Sequence, residues 1–228
     1  MKMTYLEYLS ERKLTLIMSL PKNDPEVCAA AFEAGADVVK VHINVEHRAS
    51  GTNFGRLAEE GPAFREMFSA AKGPMGLVPG NSPEKIQADL EMLEDFPFAF
   101  YSVYAHHAPA ALLRTDRLIM GACDGTYTEP EISAMKDCGA SILEASIVPG
   151  EKYGSPLTMR DLLRYRAIVR QTDLPVVVPT QKAIQPSDVP NLMKTGIKGL
   201  MIGAIVTGKT KASIVDAIRA FREAIDAC

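Results

Sequence analysis

Short apolar, β-rich runs alternate with longer amphipathic segments along the whole chain. The apolar runs cover 14–20 (LTLIMSL), 37–43 (DVVKVHI), 74–78 (PMGLV), 98–104 (FAFYSVY), 118–123 (LIMGAC), 141–147 (SILEASI), 175–180 (PVVVPT) and 200–204 (LMIGA). Each is bounded by turn residues and followed by a stretch of helical periodicity, a pattern that calls for a parallel sheet covered by helices. Helix starts are punctuated. Proline follows Asp24, Ser82 and Gln185, and Thr128 with Glu131 and Thr158 with Asp161 have capping-box spacing. Three helical stretches end in glycine just before a strand, in EAGADVVKV, DCGASILEA and KTGIKGLMI. Eight strand–helix units within 228 residues, with no linker, predict a single (β/α)8 TIM barrel spanning residues 1–228. The alternative, an open doubly wound sheet, lacks a GxGxxG motif after its first strand. Tyr5, Leu6, Tyr8 and Leu9 predict a short extra helix across the N-terminal end of the barrel.

Composition narrows the partners. A formal net charge of -3 gives no electrostatic drive toward nucleic acid or anionic membrane, so neither is an expected partner. A small substrate is expected, and self-association into a homo-oligomer stays open. Glu7 and Glu11 interrupt the region where a signal peptide needs an apolar run, and no later segment reaches the ~18 apolar residues of a membrane span. A soluble, cytoplasmic protein is the expectation. Cys28, Cys123, Cys138 and Cys228 have neither zinc nor disulfide spacing, so reduced thiols are expected.

Polar residues inside otherwise apolar strands mark the candidate chemistry. In Val39-Lys40-Val41-His42-Ile43-Asn44 the alternation puts Lys40, His42 and Asn44 on one face, expected to point into the barrel. A lysine there is costly unless paired or functional. Glu144 interrupts the sixth strand and shares a face with Ile142 and Ser146, which makes it the expected partner of Lys40 across the barrel. With a substrate carbon between them, one would act as base while the other stabilises an enolate. A buried ion pair filling the barrel is the alternative. His42 joins them as a catalytic candidate. His106 and His107 are adjacent and point apart in an extended chain, and no HExxH or His-x-His occurs, so no metal and no cofactor are predicted. Asp124, after the fifth strand, is read either as an acid–base group or as a turn residue, and Cys123 as a buried thiol.

GAIVTGKT, residues 203–210, fits the phosphate-loop pattern of nucleotide hydrolases. Such a loop lies early in its domain, because the magnesium-holding acid and most of the sheet must follow it. Here only one helix follows. In a barrel, however, the ends of the seventh and eighth strands form an anion site of their own. The segment LPVVVPTQKAIQPSDVPNLMKTGIKGLMIGAIVTG resembles the last quarter of the ribulose-phosphate-binding barrels, which include the N-acetylmannosamine-6-phosphate 2-epimerases. That resemblance implies a phosphate grip at Gly203 and Ala204, with Thr180, Gln181 and Lys182 standing where the family has a glycine. The lysine on strand three and the acid on strand seven of the N-acetylmannosamine-6-phosphate 2-epimerases are not matched. Structurally, Gly203 and Ala204 can also be read as small residues that let the last helix pack closely. Lys209 and Thr210 are read as the start and cap of that helix.

Two segments are long enough for lids: NVEHRASGTNFGRLAEEG after strand two and VPGEKYGSP after strand six, both carrying cations. Together these features predict an enzyme acting on a small anionic, phosphorylated metabolite, as an epimerase or isomerase moving a proton next to a carbonyl. Two alternatives stay open: a Schiff-base aldolase or lyase using Lys40, and a non-catalytic phosphometabolite-binding barrel.

Overall fold

The computed structural model describes residues 3–228. Eight parallel strands close into a barrel: β1 (Thr15–Ser19), β2 (Val38–His42), β3 (Met75–Val78), β4 (Phe100–Tyr104), β5 (Leu118–Cys123), β6 (Ile142–Ala145), β7 (Val176–Pro179) and β8 (Gly199–Ile202). Each strand pairs with its neighbours in sequence, and β8 returns to β1 with Thr15 opposite Gly199. Seven lie within the apolar runs, and β8 starts one residue ahead of its run, at Gly199. Strands covered on both faces need continuous apolar residues, which is why they are legible without alternation.

Around the barrel run α2 (Pro25–Ala34), α3 (Leu57–Ala70), α4 (Pro83–Leu93), α5 (Glu129–Ala134), α6 (Met159–Gln171), α7 (Val189–Lys194) and α9 (Lys211–Asp226), and α8 (Ala204–Thr207) is a single turn after β8. The punctuation acts as its spacing implies. Asp24 and Ser82 cap α2 and α4 ahead of a proline, and Thr128 and Thr158 form capping boxes with Glu131 and Asp161. Gly35 ends α2 at φ 111°, a left-handed conformation that a side chain would strain.

The fourth unit departs from the expected alternation. Between β4 and β5 the chain makes only two 3-10 turns, Ala105–His107 and Ala110–Arg114. Pro109 separates them: it lacks an N–H for a helical hydrogen bond and biases Ala108 away from helical geometry. The segment after β2 is also more ordered than a plain lid, since Glu46–His47 and Thr52–Asn53 pair as an antiparallel ribbon.

One apolar cluster fills the space between barrel and helices, and a second fills the barrel's N-terminal half. The inner cluster contains Ile17, Val38, Phe100, Met120, Ile142 and Val177, closed from below by the extra helix α1 (Tyr5–Glu11) through Tyr5 and Leu9. At Gly76 a Cβ would overlap the Phe100 ring, so the absent side chain makes room for that ring in the floor. Because side chains repeat every second residue along a strand, the next inward layer is Ser19, Lys40, Ser102, Ala122, Glu144 and Gly203, and the one above it includes His42, Tyr104, Asp124, Ser146 and Gln181. The apolar floor thus ends where the polar layers begin.

Candidate functional site

A cavity of about 690 Å³ opens above that floor, at the C-terminal ends of the strands. Its size suits a small metabolite. At its base Lys40 and Glu144 are both buried, and Lys40 Nζ lies 3.3 Å from Glu144 Oε2. Ser102 donates to the same oxygen at 2.7 Å. The two residues share the cavity as predicted, yet they touch, so no substrate atom fits between them: they meet a ligand from the same side, as one coupled group. Ser102 was not among the predicted residues. Its signal was present, as a small hydroxyl within the apolar run FAFYSVY, one strand removed in the barrel from Glu144.

His42 lies one layer higher and is 2 % exposed. Its ring stacks on Phe54 at 4.8 Å and lies 4.5 Å from the ring of His47, and its Nδ1 has no hydrogen-bond partner. Burial holds His42 far below the ordinary histidine range, with His47 and the Lys40 charge adding to the effect. Burial, then Lys40, lowers His47 to about 4. Both imidazoles are therefore neutral at pH 7, where His42 offers the cavity an uncharged donor or acceptor. A depressed histidine pKa means that the unfolded chain binds more protons than the folded one. The associated stability is complete above pH 6.5 and is lost as the pH falls toward 4. The urea midpoint should accordingly drop between pH 7 and 4.5, and His47→Asn should flatten that slope; equal slopes for the two proteins would refute the assignment.

Asn44, expected on the same face, turns away. The strand ends at His42, Asn44 takes φ 58°, and its Nδ2 donates to Pro79 O at 3.2 Å and Asp89 Oδ2 at 2.8 Å. Past the strand end, the two-residue alternation no longer governs direction.

At β7 and β8 the predicted anion-binding residues divide. Gly203 donates its N–H to Thr180 Oγ1 at 3.1 Å, which leaves the Thr180 hydroxyl proton free to donate. Ala204 follows as the first residue of α8, so the Ala204 and Ile205 amides fall where a helix has no acceptor of its own. Gln181 is held within the wall. Its Oε1 accepts from Val148 N at 3.1 Å, which fixes the amide orientation, and its Nε2 donates to Ser146 Oγ at 2.8 Å and Tyr153 OH at 2.7 Å. Both hydroxyls are thereby acceptors to Gln181. Tyr153 keeps its own proton, and the Ser146–Tyr104 pair, 2.8 Å apart, keeps one beyond the bond the two share. Lys182 is buried but lies outside the cavity lining, with its Nζ 2.9 Å from Ser155 Oγ and 3.5 Å from Asp161 Oδ2. In GAIVTGKT, Lys209 is exposed and Thr210 caps α9 by accepting from Ser213 N at 3.2 Å.

Both predicted lid segments reach the cavity, contributing Arg48 and Tyr153. Asp124 also lines it, with Oδ1 accepting from Thr126 N and Thr126 Oγ1 in a tight turn. Cys123 faces the helices, and burial raises its thiol to about 12, which leaves no thiolate at neutral pH. His107 lines the cavity, whereas His106 bonds Tyr127. Among the described residues, no three of His, Cys, Asp and Glu are grouped to hold a metal, and no helix is long and apolar enough to cross a membrane.

No protein-family model and no curated protein matches the chain. Solved structures do. The chain is similar to thiamine phosphate pyrophosphorylase from Pyrococcus furiosus, with a TM-score of 0.64 and 17% identity, covering 95% of this chain and 97% of that one. It is similar to the tryptophan synthase A-subunit of the same organism, with a TM-score of 0.72 and 12% identity, covering 92% and 97%. For phosphoribosylanthranilate isomerase from Thermotoga maritima the TM-score is 0.61 and the identity 14%, covering 94% and 100%. These likenesses establish the (β/α)8 barrel expected from the sequence. The three neighbours are a pyrophosphorylase, a synthase subunit and an isomerase.

Proposed function

We propose that the protein is an enzyme that moves a proton next to a carbonyl carbon of a small phosphorylated metabolite, as an epimerase or isomerase. The observation that carries this reading is the Lys40–Glu144–Ser102 cluster, buried at the base of a cavity at the catalytic end of the barrel. Glu144 takes the proton from the carbon, and the Lys40 ammonium lies where negative charge develops on the carbonyl oxygen as the enolate forms. His42 is neutral and lines the cavity, so it provides a second group able to exchange a proton with the substrate. Return of the proton to the same carbon from its other face gives an epimer. Return to the neighbouring carbon gives an isomer. The phosphate is held by the Ile205 amide and the Thr180 hydroxyl, with Gly203 fixing the threonine and Ala204 outside the cavity lining.

Solvent-deuterium exchange into a panel of phosphorylated sugars and keto acids, followed by mass spectrometry, tests the proton transfer. Lys40→Met and Glu144→Gln should each slow exchange by about 100-fold or more. Full exchange in both variants would remove the two residues from the mechanism.

A second reading, a Schiff-base aldolase, is favoured by one feature: Glu144 is the hydrogen-bond partner of Lys40 Nζ, so a single proton transfer between them leaves a neutral amine at the cavity base. Borohydride reduction in the presence of a keto acid separates the two readings, because only the aldolase gains mass at Lys40.

A further inference from the structure

We propose that the mouth of the cavity binds a second anionic group, a carboxylate, so that the substrate is a phosphorylated acid; this rests on the phosphate site of the reading above. Arg48, from the segment after β2, and Arg164, from α6, both line the cavity. Among the described residues neither guanidinium makes an ion pair or a hydrogen bond. An arginine presents five N–H donors, and two guanidiniums without a protein partner at one cavity are a site for an oxyanion.

The surroundings accommodate both side chains. Gly150 lies directly under Arg48, where a Cβ would overlap the guanidinium Nη1, and a Cβ at Gly125 would come 3.2 Å from Arg164 Nη2. Two arginines from separate elements therefore each lie against a glycine on a loop at the cavity rim. Tyr153, within the electrostatic reach of Arg48, adds a hydroxyl whose proton is free because Gln181 occupies its acceptor side.

Charge decides between a carboxylate and a second phosphate. Three cations, Lys40, Arg48 and Arg164, and three carboxylates, Glu46, Asp124 and Glu144, line the cavity, and its buried histidines are neutral. A phosphate already brings about -1.5 to -2. A monoanionic second group suits this balance better than another dianion. Neither Asp124 nor Glu46 pairs with the two arginines, and Asp124 is turned to Thr126.

Calorimetric titration with glycerol 3-phosphate, 3-phosphoglycerate and glycerate tests the assignment, because the three differ only in which anionic end is present. The wild type should bind 3-phosphoglycerate about 10-fold or more tighter than glycerol 3-phosphate. Arg48→Gln/Arg164→Gln should abolish that advantage, and Gly150→Ala, which displaces Arg48 without removing its charge, should reduce it. Equal affinity of the wild type for the two phosphates, or an advantage that survives in the double variant, overturns the proposal. If glycerate and 3-phosphoglycerate bind equally and glycerol 3-phosphate does not bind, the carboxylate site stands and the phosphate site falls. If none of the three binds, both fall.

Discussion

Lys40→Met should destabilise the folded protein by about 3 kcal/mol, while Lys40→Met/Glu144→Gln should recover most of that loss without recovering activity. The single substitution leaves the Glu144 carboxylate inside the barrel with only the Ser102 hydroxyl as partner, where it had also held an ammonium at 3.3 Å. Removing one member of a buried ion pair costs about 3–5 kcal/mol because the surviving charge is uncompensated. The lower end applies here, since the pair borders a cavity that admits water. In the double variant the glutamine carries no charge and still accepts from Ser102, so the penalty disappears with its cause. Urea unfolding of the wild type, both singles and the double closes a mutant cycle. If Lys40→Met is as stable as the double variant, the pair is not electrostatically coupled, and the view of Lys40 and Glu144 as one chemical unit fails with it.

Tyr5→Ala should cost about 3–4 kcal/mol although it lies in the first helix, at the end of the barrel opposite the cavity mouth. Tyr5 is 1% exposed, its ring lies 4.4 Å from that of Phe100, and it closes the apolar floor beneath the Lys40 layer. Truncating a buried aromatic removes its transfer free energy and leaves a void that the rigid strands cannot collapse to fill, typically about 3–5 kcal/mol. Tyr5→Phe is the control. The hydroxyl's partner is the thioether of Met120 at 3.7 Å, a weak acceptor, so that change should cost less than about 1 kcal/mol. Equal, small losses for both variants would mean that α1 is a dispensable appendage rather than the barrel's plug.

The polar layer was legible because residues Lys40, His42 and Glu144 lie inside strands, where the backbone alternates side chains strictly and an inward polar group stands out against apolar neighbours. Legibility stops at the strand ends. Asn44 is two residues beyond β2 and bonds Asp89 instead of entering the cavity, and Lys182, three beyond β7, turns to Asp161. Gln181 does reach the cavity wall, but it orients hydroxyls there, a role fixed by the Val148 amide thirty-three residues earlier. Pro109 breaks the fourth connection into two turns, where the regularity of the other units implies a helix.

Sequence alone determined the barrel, its eight strands, most of its capped helices, its N-terminal plug and the inward direction of Lys40, His42 and Glu144, because burial and backbone geometry act over a few neighbouring positions. The tertiary structure decided how those residues meet. It brought Lys40 and Glu144 into contact, gave the Gly203 amide to Thr180, and set Arg48 over Gly150 and Arg164 beside Gly125. Those pairings join elements far apart in the chain, and no local periodicity encodes the closure of one loop on another.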